Sequence, residues 1–458
     1  MVKFGLGEDL IKHNRNFARL WVSGSVNGFT SQFSDFAFPV LAVLVFHATP
    51  FEMGLLLSLE ILPLPIISPF VGVWVDRVAR LRIIIACNLA QMVALGSVPV
   101  GYFLHFLSLG QIFAVVLIAG FFEVIARTAY QAYFPTIIER KDLLEANQSM
   151  QTMSSAASVV GPGIAGYLYQ IVGGAASVAI DSVGFLFAAI MMRGNTEKER
   201  KIARHEGGMK GFFAQMSEGF KLALGNKILR GVAACGVWSS LGNSMADSML
   251  TVFALDYVLF SPGTFGLIGS MGSVAFLAGV LLAGRIVKTL GVGWTMTLAI
   301  TTCLIQLLEP LALHGYAFVI FLIVVSVKSF GAPVYTIPQV AVKQAITPHS
   351  MLGRMNATMN TMVWGMMVVG GTLGGILGST IGVVNTIYIG AAISGTSGLA
   401  VILSGNFKLR NPPEQVSEPE TIEEKVEEEQ EAFVPPSETR PPHIEPPIEP
   451  SDKDETPD

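Results

Sequence analysis

Charge is scarce in this chain. Aspartate, glutamate, lysine and arginine make up 14% of its 458 residues, where a soluble globular protein carries roughly a quarter. With 51% hydrophobic residues and a mean hydropathy of +0.56, a soluble fold is not expected. Cysteine is scarcer still. Cys87, Cys235 and Cys303 each lie inside an apolar run, so they read as small core residues and no disulfide framework follows. No Gly-Lys dipeptide occurs, which excludes a P-loop and an internal ATPase. The seven histidines are scattered without metal-ligand spacing. Neither a nucleophile elbow nor an H-E-x-x-H pattern is present. No enzyme, cofactor or metal is expected, and the basic clusters sit between apolar runs rather than forming a nucleic-acid surface.

What is present is a series of apolar runs of the length that crosses a bilayer core, about 20 residues. They fall near 17–46, 51–75, 83–105, 109–131, 142–171 and 175–193, then near 228–259, 263–287, 293–313, 316–338, 350–380 and 384–405. The runs are continuous rather than short and alternating, so they read as helices and not barrel strands. The expectation is an all-α membrane protein with twelve transmembrane helices. Lysine and arginine fall in alternate connections: Lys3 to Arg19, residues 76–82, Arg140 and Lys141, residues 193–230, Arg285 and Lys288, Lys343 and Arg354, Lys408 and Arg410. The intervening loops contain none. This positive-inside pattern predicts that both termini are cytoplasmic, and no cleavable signal peptide is expected ahead of the first run.

From Asn411 onward the composition changes. Sixteen acidic residues face three basic ones, with eleven prolines; the segment's net charge of −13 leaves +8 for the remainder of a chain whose total is −5. Such a segment cannot bury enough apolar surface to offset its ordering entropy, so 411–458 reads as a disordered acidic tail.

The chain is also built twice. The stretch "NQSMQTMSSAASVVGPGIAG" (147–166) matches "NATMNTMVWGMMVVGGTLGG" (356–375) at eight of twenty positions with a constant offset of 209. The identities include Asn147/Asn356, Gly161/Gly370 and Gly166/Gly375. These are the fifth and eleventh runs, so the expected domains are a six-helix half over 1–193, a basic linker over 194–226 and a second, parallel half over 227–410. Parallel repeats enclosing a central site are a transporter design.

One loop concentrates charge. In "GVWVDRVARLR" (72–82), Gly72 and Asp76 are one helical turn apart on one face. Glycine there admits a neighbouring helix, whose positive N-terminal end would attract Asp76. Gly72, Asp76, Arg77 and Arg80 resemble the G-x-x-x-D-R-x-x-R signature of the major facilitator superfamily. That resemblance implies a cytoplasmic latch between the second and eleventh helices, the latter expected to be capped by Ser350. The matching loop of the second half, "AGRIVKTLG", keeps Arg285 but has Gly284 where the acid would be. Within the superfamily, "NFARLWVSGSVNGFTSQFSDFAFPVLAVLV" and "FEVIARTAYQAYFPTII" are similar to the first and fourth helices of macrolide-efflux and enterobactin-exporter proteins. "GPGIAG" (Gly161, Pro162, Gly163, Gly166) resembles the antiporter motif, with Ala165 in place of a second adjacent glycine; alternatively it is a kink that packs on a neighbour.

Charges within membrane helices are functional candidates by default. In the fold that the resemblance implies, the first, fourth, seventh and tenth helices line the cavity. Here they carry Asp35, Glu123 with Arg127, Asp247 and Lys328. A carboxylate removed from water can hold and release a proton as access alternates, and Glu60 lies at a depth comparable with Asp35. Glu123 and Arg127, four residues apart, also read as an internal pair. Lys328 reads either as a partner of a cavity carboxylate or as a contact for an anionic substrate. Asp181, Asp256 and Glu309 read as interfacial. Met150, Met153, Met355, Met359, Met362 and Met366 suit an adaptable cavity wall. The combined expectation is a monomeric, proton-coupled exporter of amphipathic or lipophilic molecules in the cell membrane. A dedicated carrier of a siderophore or lysophospholipid is the alternative within the fold, and a non-transporting membrane sensor the alternative outside it.

Overall fold

The computed structural model describes residues 8–75, 78–195, 209–411 and 413, which fall within one compact unit. Those residues form helices: α1 (Glu8–His13), α2 (Arg15–Leu44), α3 (Pro50–Ile61), α4 (Pro63–Val75), α5 (Arg80–Phe103), α6 (Leu109–Tyr133), α7 (Leu143–Val172) and α8 (Gly174–Arg193). After a connecting helix α9 (Met209–Gly225) come α10 (Lys227–Val252), α11 (Pro262–Leu290), α12 (Val292–Thr301), α13 (Ala317–Ile346), α14 (Leu352–Ile381), α15 (Val383–Thr396) and α16 (Gly398–Leu403). A 3-10 stretch, Thr302–His314, extends α12.

Local chemistry sets several starts. Asn14 caps α2 through the amide of Phe17, and Thr49 and Glu52 form a reciprocal capping box at α3. Ser108, Asn226 and Ser261 cap α6, α10 and α11. Ser350 does not cap the eleventh long helix as expected. It lies in a 3-10 turn, and α14 begins at Leu352 with no side-chain cap.

Among the described residues, nine helical segments are long and apolar enough to cross a membrane. Three runs expected to do so are not among them: α2, α7 and α10, with 30, 30 and 26 residues. They are long enough, but serine, threonine, asparagine and glutamine dilute their apolar content.

The repeat read in the sequence reappears in the packing. α2 packs on α7 and α8, and α10 packs on α14 and α15. Gly161 backs onto Gln32 of α2; Gly370, 209 residues on, backs onto Leu241 of α10, which is Gln32 plus the same offset. The turns that follow also correspond. Gly173 and Gly382 hold φ of 83° and 92°, a conformation that glycine adopts at no steric cost.

The two sets of helices meet at the end of the bundle opposite α9. There α3 crosses α14 and α7 crosses α11 through small residues, which let backbones approach closely. A Cβ on Gly54 would lie 2.5 Å from the carbonyl oxygen of Gly371 and 2.5 Å from the Cα of Gly375. A Cβ on Gly166 would lie 2.5 Å from the carbonyl oxygen of Pro262. Polar bonds register both crossings. The Ser58 hydroxyl donates to the Val368 carbonyl at 3.0 Å and lies 3.0 Å from Thr372 Oγ1, while the Gly163 amide donates to Ser270 Oγ at 2.8 Å.

Candidate functional site

Two groups of ionisable side chains lie within the long helices. In the first, Asp35 on α2 has Glu60, Asp181 and Glu123 within electrostatic reach. Asp35 and Glu60 are exposed. Glu123 and Arg127 pair along α6 at 3.4 Å with both side chains more than half exposed, so solvent screening leaves that pair weak. Gln91 of α5 is buried and donates to the carboxylate of Glu123 at 3.4 Å and to the carbonyl of Ala119 at 3.3 Å.

The second group is more tightly organised. Lys328 of α13 donates to Asp247 of α10 at 2.5 Å, the side chains being 25% and 39% exposed. Gln306, buried, donates to the same Asp247 oxygen at 3.4 Å. Glu309 is within reach of both Lys328 and Asp247. In the 3-10 stretch Thr302–His314, residues three apart share a face, and this turns Gln306 and Glu309 together toward the ion pair. Lys328 is thus paired with a carboxylate in this structure.

Asp181 and Glu309 correct the sequence reading. Both were expected at the membrane interface, yet they are 1% and 2% exposed, since neighbouring helices rather than headgroups surround them. Asp256 is exposed, as an interfacial residue would be. Of the expected methionine wall, Met355 and Met359 are instead buried core. Met153 lines an open groove of about 400 Å³ between α2 and α7, with Ser25, Val26, Phe29, Thr30 and Val160. That lining is almost wholly apolar.

Asp76 and Arg77, the centre of the expected latch, lie outside the described residues. Around them, a Cβ on Gly72 would meet no atom of the described residues within 4 Å. Arg80 is buried within the first set of helices and donates to the carbonyl of Ala132 at 3.0 Å. At the start of α14, Arg354 pairs with Glu218 of α9 at 2.6 Å. Pro162, Gly166 and Gly375 lie at the crossings opposite α9, whereas Gly161 and Gly370 pack within each repeat.

Known proteins resemble this chain in sequence and in fold. The profile of a family described as transmembrane secretion effector matches residues 12–433. Macrolide efflux protein A of Streptococcus pyogenes is 23% identical over 376 residues, 80% of this chain and 90% of that protein. The enterobactin exporter EntS of Escherichia coli is 23% identical over 400 residues, 87% and 92% of the two chains. In fold, the chain superposes with a TM-score of 0.66 on a bacterial homologue of the iron transporter ferroportin, solved in an inward-facing state. Identity is 16%, and 85% of this chain and 98% of that one are covered.

Proposed function

The chain belongs to the transmembrane secretion effector family of the major facilitator superfamily, whose members are multi-pass membrane transporters, and from that premise we propose that it is a proton-coupled exporter of amphipathic or lipophilic small molecules. The observation that carries the reading is the carboxylate group around Asp35. Asp35, Glu60 and Glu123 share one region with Arg127 as the cation paired there, so they repel one another when ionised. A proton relieves that repulsion and is given up when access changes. The open apolar groove between α2 and α7 suits a lipophilic cargo, in keeping with the macrolide named for one relative. On this reading the halves, 1–193 and 227–410, rock about their crossings. On this reading the α9 end, where the basic connections lie, is cytoplasmic, and transport proceeds through an inward-open conformation.

Substrate flux in proteoliposomes, with and without an imposed pH gradient, tests this. Asp35→Asn should abolish uphill flux while downhill flux largely survives, because the neutral amide keeps the cavity but not the proton. Flux indifferent to the gradient in the unmutated protein would refute proton coupling. Unaltered uphill flux in Asp35→Asn would move the role to Glu60, Glu123 or Asp247.

A further inference from the structure

We propose that the second half holds one exchangeable proton, carried by Glu309 while Lys328 is bound to Asp247 and by Asp247 when Lys328 turns to Glu309. The charges of this cluster do not balance when every group is ionised. Lys328 is committed to Asp247 in a direct ion pair, and among the described residues it is the one cation within reach of Glu309. The 3-10 stretch that carries Glu309 packs on α12, α13 and α15. Of these, α12 and α15 have no charged side chain, and the titratable group on α15, Tyr388, is exposed. Within the stretch itself the other titratable groups are Cys303 and His314. Two carboxylates therefore share one ammonium. A buried carboxylate without a cation of its own is costly, and Glu309 is buried whereas Asp247 is partly exposed, so the proton belongs on Glu309.

Gln306 supports the same assignment from its hydrogen bonds. Its amide N–H donates to Asp247 at 3.4 Å, and it lies within hydrogen-bonding reach of Glu309. Its carbonyl oxygen is buried and receives no hydrogen bond, a costly condition for an acceptor. An ionised Glu309 has no hydrogen to offer that oxygen, and the acid form has one. The two carboxyls differ in access to water, which gives the proton somewhere to go. As the ammonium crosses from Asp247 to Glu309, the O–H bond at Glu309 breaks and one forms at Asp247, with no change in the net charge of the cluster. The proton passes from an enclosed carboxyl to one that water reaches. This site is separate from the carboxylates around Asp35 and is detected without flux, so it stands whether or not those couple export.

Infrared difference spectroscopy of the purified full-length protein at neutral pH is the test. The spectrum of the unmutated protein minus that of Glu309→Gln should show the loss of a carboxylic-acid carbonyl band, one that shifts on exchange into D2O. Asp247→Asn supplies a reading that a merely structural role would not move. It frees Lys328 to pair with Glu309, so the same band should vanish although Glu309 itself is untouched. Should Glu309→Gln fail to elute as a folded protein, Asp247→Asn decides. A spectrum of the unmutated protein with no acid carbonyl band at neutral pH overturns the proposal. So does a band that survives Glu309→Gln, which would place the proton elsewhere, or one that survives Asp247→Asn, which would show that Lys328 does not change partner.

Discussion

Gly54→Val should drive the two halves apart at the end opposite α9. The added side chain would enter space occupied by the backbone of α14 at Gly371 and Gly375, and backbone cannot rotate aside as a side chain can. Overpacking of this kind costs about 1–3 kcal/mol, which is about 5- to 150-fold in a conformational equilibrium. Spin labels at Phe106 and Tyr316, both exposed, should report longer distances across that end, with transport reduced and folding retained. The native cysteines are all buried and should not compete for label. Gly72→Val provides the opposite arm. Its Cβ meets no atom of the described residues within 4 Å but would obstruct the latch expected from the signature loop, so it should favour the conformation described. An unchanged distance distribution in Gly54→Val would show that this crossing does not resist opening; equal behaviour of the two variants would remove the latch.

Lys328→Met should be the most damaging single change among the interior charges. It leaves Asp247 and Glu309 facing each other with no cation between them. Breaking a fully buried pair costs about 3–5 kcal/mol, while exposed pairs are worth about 0–1 kcal/mol. The partial exposure of this bridge, 25% and 39%, places the expected loss near 2 kcal/mol. A lower melting temperature in detergent should register it. The double variant Asp247→Asn/Lys328→Met should recover most of the loss, since the stranded charge is removed with its partner, and a double-mutant cycle measures that coupling. A Lys328→Met protein as stable as its parent would show that the pair contributes nothing to the fold.

The sequence made the repeat legible because glycine leaves a trace that packing cannot blur. Gly161, Gly370, Gly173 and Gly382 recur at one offset because each repeat needs the same close approach and the same left-handed turn. Apolar run length made most of the helices legible, but not whether α2, α7 and α10 cross a membrane, since their many polar residues lower the mean hydropathy and composition alone cannot separate a lined interior from a weak span. Asp181 and Glu309 were misplaced for a related reason. Depth along a helix is readable from residue number, whereas the side to which a residue points depends on the neighbour. For Glu309 the 3-10 winding of Thr302–His314 also shifts the face from its α-helical direction. The partnership of Lys328 with Asp247 joins residues 81 apart, and no local pattern encodes it. Ser350 was a chemically reasonable cap, displaced because the turn at His349–Met351 closes as a 3-10 helix one residue past it.

The grip of α9 on α14 has a mechanical consequence. α14 is 30 residues long, about 45 Å at 1.5 Å per residue. Near one end Arg354 is held by Glu218 of α9; toward the other, Gly371 and Gly375 abut α3. A stiff rod held near both ends is a strut. One continuous helix therefore joins the α9 contact to the crossing at the opposite end of the bundle.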